Sequence, residues 1–375
     1  MIEKRFKFGM VLPHGVMEMH KIFKKKNRHL FLVGGAIRDA LLNITPKDFD
    51  LATDALPDEV EEMMEEIGLK TLPTGKAFGV INVFTDSGEF EVVTFRSDCG
   101  SGRRPNSVKF TTIEEDVKRR DLTCNALFFD IDTSEVIDLV GGLKDLENGV
   151  IRTVGKAEDR ITEDRLRIMR AVRFAARFGS ELEPELEQAL SKDASLEGIS
   201  SERIRDEFLK GVKSAKSVIH FLKLLAKFKL FCWIFPKLNI NGDFIEEKNP
   251  IILISNLLKM NKPGIVNKVL AEMTFTVDKG DKEIPKIVFL LNFLKFNPNE
   301  IVQFKKSQTS SKISDDEIRR FGKLNSLSDK VVETFINFQL TVTGQEMIDK
   351  GIKAGPEMGL MIKKIEINNF LLKLK

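Results

Sequence analysis

LVGGAIRDALLNITPKDFDLAT, residues 32–53, decides how the rest of the chain is read. On its left, HLFLVGG (29–35) is an apolar run into a glycine pair, the pattern of a buried strand entering a tight turn. AIRDALLN (36–43) then has helical spacing, and DFDLAT (48–53) alternates as a strand does. Backbone amides at Gly34 and Gly35, with a helix start behind them, are suited to cradle phosphates. No Gly-Lys-Ser/Thr follows, so this is not a Walker loop. Asp-x-Asp on a strand puts the carboxylates of Asp48 and Asp50 on one face, where they repel unless a divalent cation offsets them. Oxygen-only ligands suit Mg²⁺, which also recruits phosphate oxygens. Taken singly, the glycine pair reads as a structural turn and the acidic pair as a surface loop.

Composition narrows the chemistry. The chain has 375 residues, 42% hydrophobic and 31% charged, enough for two or three domains with a sizeable core. It contains 29 phenylalanines, one tryptophan and no tyrosine, which excludes any tyrosine nucleophile or acid. Three cysteines (Cys99, Cys124, Cys232) form neither a disulfide framework nor zinc spacing, and the four histidines have no metal-site spacing. Catalysis must therefore rest on carboxylates, arginines, lysines and backbone. No apolar run has the length of a membrane span, and the N-terminus lacks a signal-peptide core, so a soluble, cytoplasmic protein is expected.

Charge is divided along the chain. Residues 1–206 hold 31 Lys+Arg against 38 Asp+Glu, and residues 207–375 hold 28 against 18. Fifteen of nineteen arginines fall between Arg38 and Arg205, whereas lysine supplies 26 positive charges after Arg205. Arginine forks match phosphates and base edges in fixed geometry, and lysine acts as a mobile point charge. The first half is expected to hold a specific arginine-rich site and the second a diffuse polyanion-facing surface. Residues 1–140 read as mixed sheet and helix, with PDEVEEMMEEIG (57–68) a helix and 79–95 a hairpin. Beyond Gly141-Gly142 the pattern is helical, including a helix over 163–179 that stops at Gly179.

Gly-Gly-x-x-Arg-Asp-x-Leu-Leu, a short gap, Asp-x-Asp and a threonine together resemble the nucleotide-binding motif of class II template-independent nucleotidyltransferases. These are the tRNA CCA-adding enzymes and bacterial poly(A) polymerases of the DNA polymerase β superfamily. RRDLTCNAL (119–127), DLVGGLKDL (138–146), IRTVG (151–155), EDRLRIMRAVRFAARF (163–178), SERIRDEF (201–208) and TGQEMIDKGIKAGPEMG (343–359) are similar to further blocks of that family, in its order. Strong motifs span residues 29–210, and 215–340 share helical character only.

The resemblance implies an α+β protein: a polymerase-β-like nucleotidyltransferase head of mixed sheet and helices over 1–142, then an all-α neck (143–206), body (207–310) and tail (311–375). It implies that Asp48 and Asp50 are catalytic and hold two Mg²⁺ ions, with Glu91 a further candidate carboxylate. Arg38 is expected to reach the phosphates or to pair with Asp39. Asp121, flanked by Arg119 and Arg120 and followed by Asn125, is expected to take the ribose 2′-OH. Asp164 and Arg167 are three apart, so on a helix they share a face. An aspartate accepts and an arginine donates, which matches the edges of cytosine and adenine but leaves unpaired groups against uracil and guanine. Arg170 and Arg173 are expected to contact the triphosphate or to position Asp164. CTP and ATP are the expected substrates, and the acceptor arm and 3′ end of tRNA the expected partner. RSDCGSGRRPNSVKF (96–110) resembles the family's flexible loop, with Asp98, Arg103 and Arg104 its charged members and Ser101 where relatives commonly have an acid. TGKAFGVINV (74–83) is more similar to CCA-type members than to poly(A) polymerases. A poly(A) polymerase, an A-only or CC-only enzyme, and a non-catalytic RNA-binding protein are the alternatives.

Overall fold

Leu30–Val33 is buried along its whole length and lies in the middle of an eight-stranded sheet. Leu30 and Leu32 enter one apolar cluster and Phe31 and Val33 another, so the strand is covered on both faces. A computed structural model of the protein describes residues 4–99, 107–276 and 282–375, and the chain divides into two compact units, Met1–Gly198 and Ile199–Lys375.

The strands of the first unit are β1 (Lys4–Lys7), β2 (Leu30–Val33), β3 (Asp50–Thr53), β4 (Lys70–Gly75), β5 (Val80–Thr85), β6 (Gly88–Thr94), β7 (Arg96–Cys99), β8 (Ser107–Phe110), β9 (Leu127–Asp130) and β10 (Glu135–Asp138), with two-residue strands at Val150–Ile151 and Glu181–Leu182. The sheet runs β1-β10-β9-β2-β3-β6-β5-β4. Its one parallel pair is β3 with β6, and β7 with β8 forms a separate ribbon. At one edge the sequence of β1, KRFK, is charged and exposed, which discourages unwanted pairing. Helices α1 (His14–Lys25), α2 (Gly35–Leu41) and α3 (Pro57–Glu66) follow β1, β2 and β3. Val16, Met19 and Phe23 of α1 and Val60, Met63 and Met64 of α3 cover one face of the sheet. The predicted hairpin is β5–β6, closing at Thr85 opposite Gly88.

Two predicted elements differ from those found. The strand predicted over 48–53 begins at Asp50. Its antiparallel neighbour β2 ends at Val33, opposite Asp50, because Gly34 turns away with φ of 73°. Its parallel neighbour pairs only from Leu51 with Val92, so Asp48 has no ladder partner and lies in the preceding loop. The helix predicted over 163–179 is split. The helices here are α4 (Ile113–Asp116), α5 (Gly142–Glu147), α6 (Ala157–Glu163), α7 (Leu166–Phe178) and α8 (Pro184–Lys192). Between α6 and α7, Asp164 is extended (φ −145°, ψ 103°) and its Oδ1 accepts the Leu166 N–H at 3.0 Å. An aspartate offered a nearby backbone donor competes with helix continuation in this way. Asp164 and Arg167 thus stand on a junction and a first turn, not on one helix face. The predicted stop at Gly179 is present, with φ of 67°.

The Gly141-Gly142 pair is a tight structural joint. Asp138 accepts N–H groups from Val140, Gly141, Gly142 and Leu143, and a Cβ on Gly142 would come within 2.2 Å of the Thr123 carbonyl oxygen.

In the second unit the regular elements among the described residues are helices: α9 (Ser201–Ser214), α10 (Val218–Lys227), α11 (Phe231–Ile234), α12 (Pro250–Leu258), α13 (Pro263–Glu272), α14 (Glu283–Phe293), α15 (Ile301–Ser311), α16 (Asp315–Leu324), α17 (Asp329–Asn337), α18 (Gly344–Asp349) and α19 (Pro356–Leu374). Ile251–Leu258 of α12 is buried all round, as a core helix must be when apolar on every side. Aromatic rings fill the far end of the unit, where Phe293 meets Phe335 at 4.8 Å and Phe296 meets Phe370 at 5.8 Å. Among the described residues no helix is long and apolar enough to cross a membrane.

Candidate active site

A cleft of about 460 Å³ opens between the loop before β3 and the β5–β6 hairpin, lined by Asp48, Asp50, Asn82 and Glu91 among others. Parallel pairing of β3 with β6 explains why Asp50 and Glu91 share it, since Leu51 and Val92 are register partners and the two acids precede them. Asp50 keeps solvent access, yet partial burial pushes its carboxyl up from the usual range. The Asp48 charge adds to that rise and Arg120 opposes it. Glu91 is also raised, by burial first and by Asp50 second, against the pull of Arg96. The cleft thus collects negative charge that its surroundings do not fully offset. Among the described residues no three His, Cys, Asp or Glu side chains converge closely enough to hold a metal unaided. Asp48 and Asp50 fit a cation that takes one or two carboxylates and completes its shell with water and phosphate oxygens, which is the habit of Mg²⁺. A larger groove of about 680 Å³, beside Phe6, Leu41, Leu143 and Leu146, holds none of the candidate site residues.

Gly34 caps α2 and its N–H donates to the Leu127 carbonyl, locking the turn to β9. Arg38, one turn on, is 4% exposed and faces inward. It donates to Asp39 Oδ1 through Nε (2.9 Å) and Nη2 (2.6 Å) and to Asn125 Oδ1 through Nη1, and it lies over the rings of Phe174 and Phe178 at 5.0 and 5.1 Å. The other Asp39 oxygen accepts from Arg177 at 2.9 Å. Of the two expectations for Arg38, the Asp39 pair is present. Its enclosure ties the glycine turn to α7.

Asp116, at the end of α4, is 1% exposed and receives both Arg119 (2.8 Å) and Arg120 (2.9 Å). Asp121 turns the other way and accepts from Arg170 through Nε at 2.6 Å and Nη2 at 2.5 Å, and from Asn125 at 3.4 Å. Burial alone would push the Asp121 carboxyl up. The Arg170 charge, the Leu122 N–H and Asn125 outweigh it and hold the group below its usual range. Asn125 therefore joins Arg38 to Asp121, and Asp121 joins both to α7.

Asp164 and Arg167 flank the start of α7, where Arg167 N–H donates to the Asp164 carbonyl at 3.0 Å. Arg167 is held by the Arg160 carbonyl (2.7 Å), Glu163 (2.8 Å) and the Arg119 carbonyl (3.3 Å). Arg173 is 7% exposed and lies 4.1 Å from the centre of the Phe174 ring. The Asp98 side chain, Ser101, Arg103 and Arg104 of the expected flexible loop lie outside the described residues.

Sequence reasoning passed over Asp116, Arg160, Phe174, Phe178 and Arg177. Asp116 had a signal, since it stands three and four residues before Arg119 and Arg120. Arg177 had none, because its partner Asp39 is 138 residues away.

Comparison with known proteins places this chain in a family. The model of the Poly A polymerase head domain matches residues 30–152, and that of a probable RNA- and SrmB-binding site of polymerase A matches 179–240. The chain is 34% identical to the CCA-adding enzyme of Lactobacillus johnsonii, over 90% of this chain and 87% of that one. It is 29% identical to the human mitochondrial CCA tRNA nucleotidyltransferase 1, over 96% and 86% of the two. A crystal structure of the Bacillus stearothermophilus CCA-adding enzyme in complex with CTP superposes with a TM-score of 0.69 at 26% identity, covering 95% of this chain and 92% of the other. At 34% identity over 90% of its length to such an enzyme, the chain belongs to the CCA-adding enzymes, the class II tRNA nucleotidyltransferases that share their head domain with poly(A) polymerases.

Proposed function

We propose that this protein adds C, C and A in turn to the 3′ end of tRNA, without a nucleic-acid template, from CTP and ATP. The carrying observation is that one unit holds the Asp48/Asp50 cleft together with the Asp121–Arg170 and Glu163–Arg167 pairs, in a chain related along its length to CCA-adding enzymes. In each round the primer 3′-oxygen attacks the α-phosphorus, the bond to the β-phosphate oxygen breaks, and pyrophosphate leaves. Asp48 and Asp50 would hold Mg²⁺, which when bound supplies charge neutralisation and Lewis acidity at the hydroxyl and phosphate oxygens. Glu91 adds a third negative charge to the same cleft. The Gly35 end of the glycine turn receives phosphate oxygens, the Gly34 N–H being given to the Leu127 carbonyl, and Arg38 and Asn125 brace that turn from within. Arg119, Arg170 and Arg173 supply positive charge along the triphosphate. Asp121 is set against the ribose hydroxyl. Asp164 accepts from the amino group of cytosine or adenine while Arg167 donates to the neighbouring ring nitrogen or carbonyl. Lysines of residues 207–375 face acceptor-arm phosphates. Head, neck, body and tail follow the limits 1–142, 143–206, 207–310 and 311–375.

The test offers tRNA lacking its 3′ end, Mg²⁺, and CTP, ATP or both, with products sized at single-nucleotide resolution. Two C additions followed by one A are expected. A long A tail would identify a poly(A) polymerase, and a stop after two C or a lone A would identify a partial enzyme. No extension would overturn the proposal.

A further inference from the structure

Arg160 lies in the middle of α6, outside the set of residues given a role above, and is 8% exposed. Its Nη2 donates to two consecutive carbonyl oxygens some forty residues earlier, Arg119 at 2.7 Å and Arg120 at 2.9 Å. Its Nη1 donates to Glu163 Oε2. That same oxygen accepts from Arg167 at 2.8 Å, and the same Arg119 carbonyl accepts from Arg167 Nη2 at 3.3 Å. The circuit closes through the backbone, where the carbonyl of Arg160 accepts from Arg167 Nη1 at 2.7 Å. All three groups that hold the Arg167 guanidinium are therefore either part of Arg160 or hydrogen-bonded to it.

The carbonyls that Arg160 grips immediately precede Asp121. One nucleotide whose sugar meets Asp121 and whose base meets Arg167 spans the gap between these two segments. Discrimination by hydrogen bonding requires that gap to be held to about half an ångström. A planar guanidinium can meet two carbonyls and a carboxylate at once in fixed directions, which an ammonium cannot do. We infer that Arg160 is a specificity-positioning residue: it sets the Arg167 guanidinium relative to the Asp121 segment, and so sharpens the choice of C and A over U and G. The inference rests on the function proposed above.

The experiment compares wild type with Arg160→Met, Arg160→Lys, Arg167→Ala and the Arg160→Met/Arg167→Ala double variant. It measures kcat and KM for CTP and UTP, and for ATP and GTP on the matching primers, with thermal unfolding of each protein as a control. Arg160→Met is expected to lose at least about tenfold in discrimination against UTP and GTP. Arg160→Lys should fall between it and wild type. In the Arg167→Ala background, Arg160→Met should change discrimination by less than about twofold, since nothing remains to be positioned. Wild-type discrimination in Arg160→Met, beside a loss in Arg167→Ala, overturns the inference and leaves the proposed function standing. Fully additive losses overturn it as well. Should Arg160→Met fail to fold, Arg160→Lys decides, and wild-type discrimination there overturns the inference. Wild-type discrimination in Arg167→Ala overturns the base-reading part of the proposed function, and the inference with it.

Discussion

The two units solve the problem of a filled interior in different ways. In the first, guanidinium groups are bonded to named acceptors: the buried Arg38 to Asp39 and Asn125, the buried Arg160 to the carbonyls of residues 119 and 120, and the half-buried Arg170 to Asp121. In the second, phenylalanine dominates. Phe293 alone lies 4.8 Å from Phe335, 5.3 Å from Phe296, 5.7 Å from Phe289 and 6.0 Å from Phe304. Polar contacts there include local caps such as Ser314 with Glu317 and longer ties such as Arg320 with the buried Glu247 and the buried Glu366 with the N–H groups of Thr341 and Val342. Hydrogen bonds to charged groups are directional and fix positions, whereas ring packing stabilises without fixing a polar geometry. Where the proposed function places the reading of base and sugar, the chain uses the first device. Where a helical scaffold must persist it uses the second.

The largest expected effect tests whether charge in the first unit serves chemistry at the expense of stability. Asp50→Asn should abolish nucleotide addition yet raise the thermal midpoint at neutral pH. A carboxyl raised by folding above its ordinary 3.8 opposes folding once it is ionised. The gain should shrink as the pH falls and the wild-type group becomes protonated in both states. Calorimetry at pH 7 and pH 4 checks this, and a lower midpoint at pH 7 would break the comparison.

Phe293→Ala tests the opposite side. Removing a fully packed ring should cost about 3–5 kcal/mol of stability. Discrimination between CTP and UTP per folded molecule should stay at the wild-type level. Denaturant titration beside single-nucleotide kinetics reads both, and altered discrimination would show that the two devices are not separable.

Asp121→Asn should cost about 1–3 kcal/mol by leaving Arg170 without its anionic partner. Because folding holds Asp121 below its ordinary value, its contribution is present above the unfolded value and lost as the pH falls through the folded one. The stability gap between wild type and variant should therefore stay flat from about pH 8 to pH 5 and close only under stronger acid. A gap that closes near neutrality would contradict the geometry. The smallest effect is expected on the second unit's surface. Arg319 pairs with Glu333 there at 2.7 Å with both side chains exposed, and Arg319→Ala should leave the thermal midpoint unchanged.

Much of the first unit is legible in the amino-acid sequence. The buried strand before Gly34, a hairpin over 79–95 (observed over 80–94), the helix ending at Gly179 and the shift to helices after Gly142 all follow from local spacing. Local periodicity puts Asp50 inside a strand over 48–53 and Asp164 inside a helix over 163–179, whereas the strand starts at Asp50 and the helix breaks at Asp164. The errors arose where pairing or capping overrides period. Asp48 alternates correctly but has no strand beside it, and Asp164 takes the Leu166 N–H and ends α6. Cys124 is a similar lesson. It stands inside the RRDLTCNAL motif, yet burial pushes its thiol up to about 12 and leaves it inert.

By itself, the amino-acid sequence determined the order of elements, the chemical inventory of the site and the family, because these are properties of local spacing and residue type. Only the tertiary structure decided which arginine meets which acceptor. Arg38 turns inward onto Phe174 and Phe178, Arg177 finds Asp39, and Arg160 grips the backbone before Asp121. The hydrogen-bonded partners among these lie forty to 138 residues apart. A directional bond over such a separation is set by how sheet and helices pack, which no periodicity encodes.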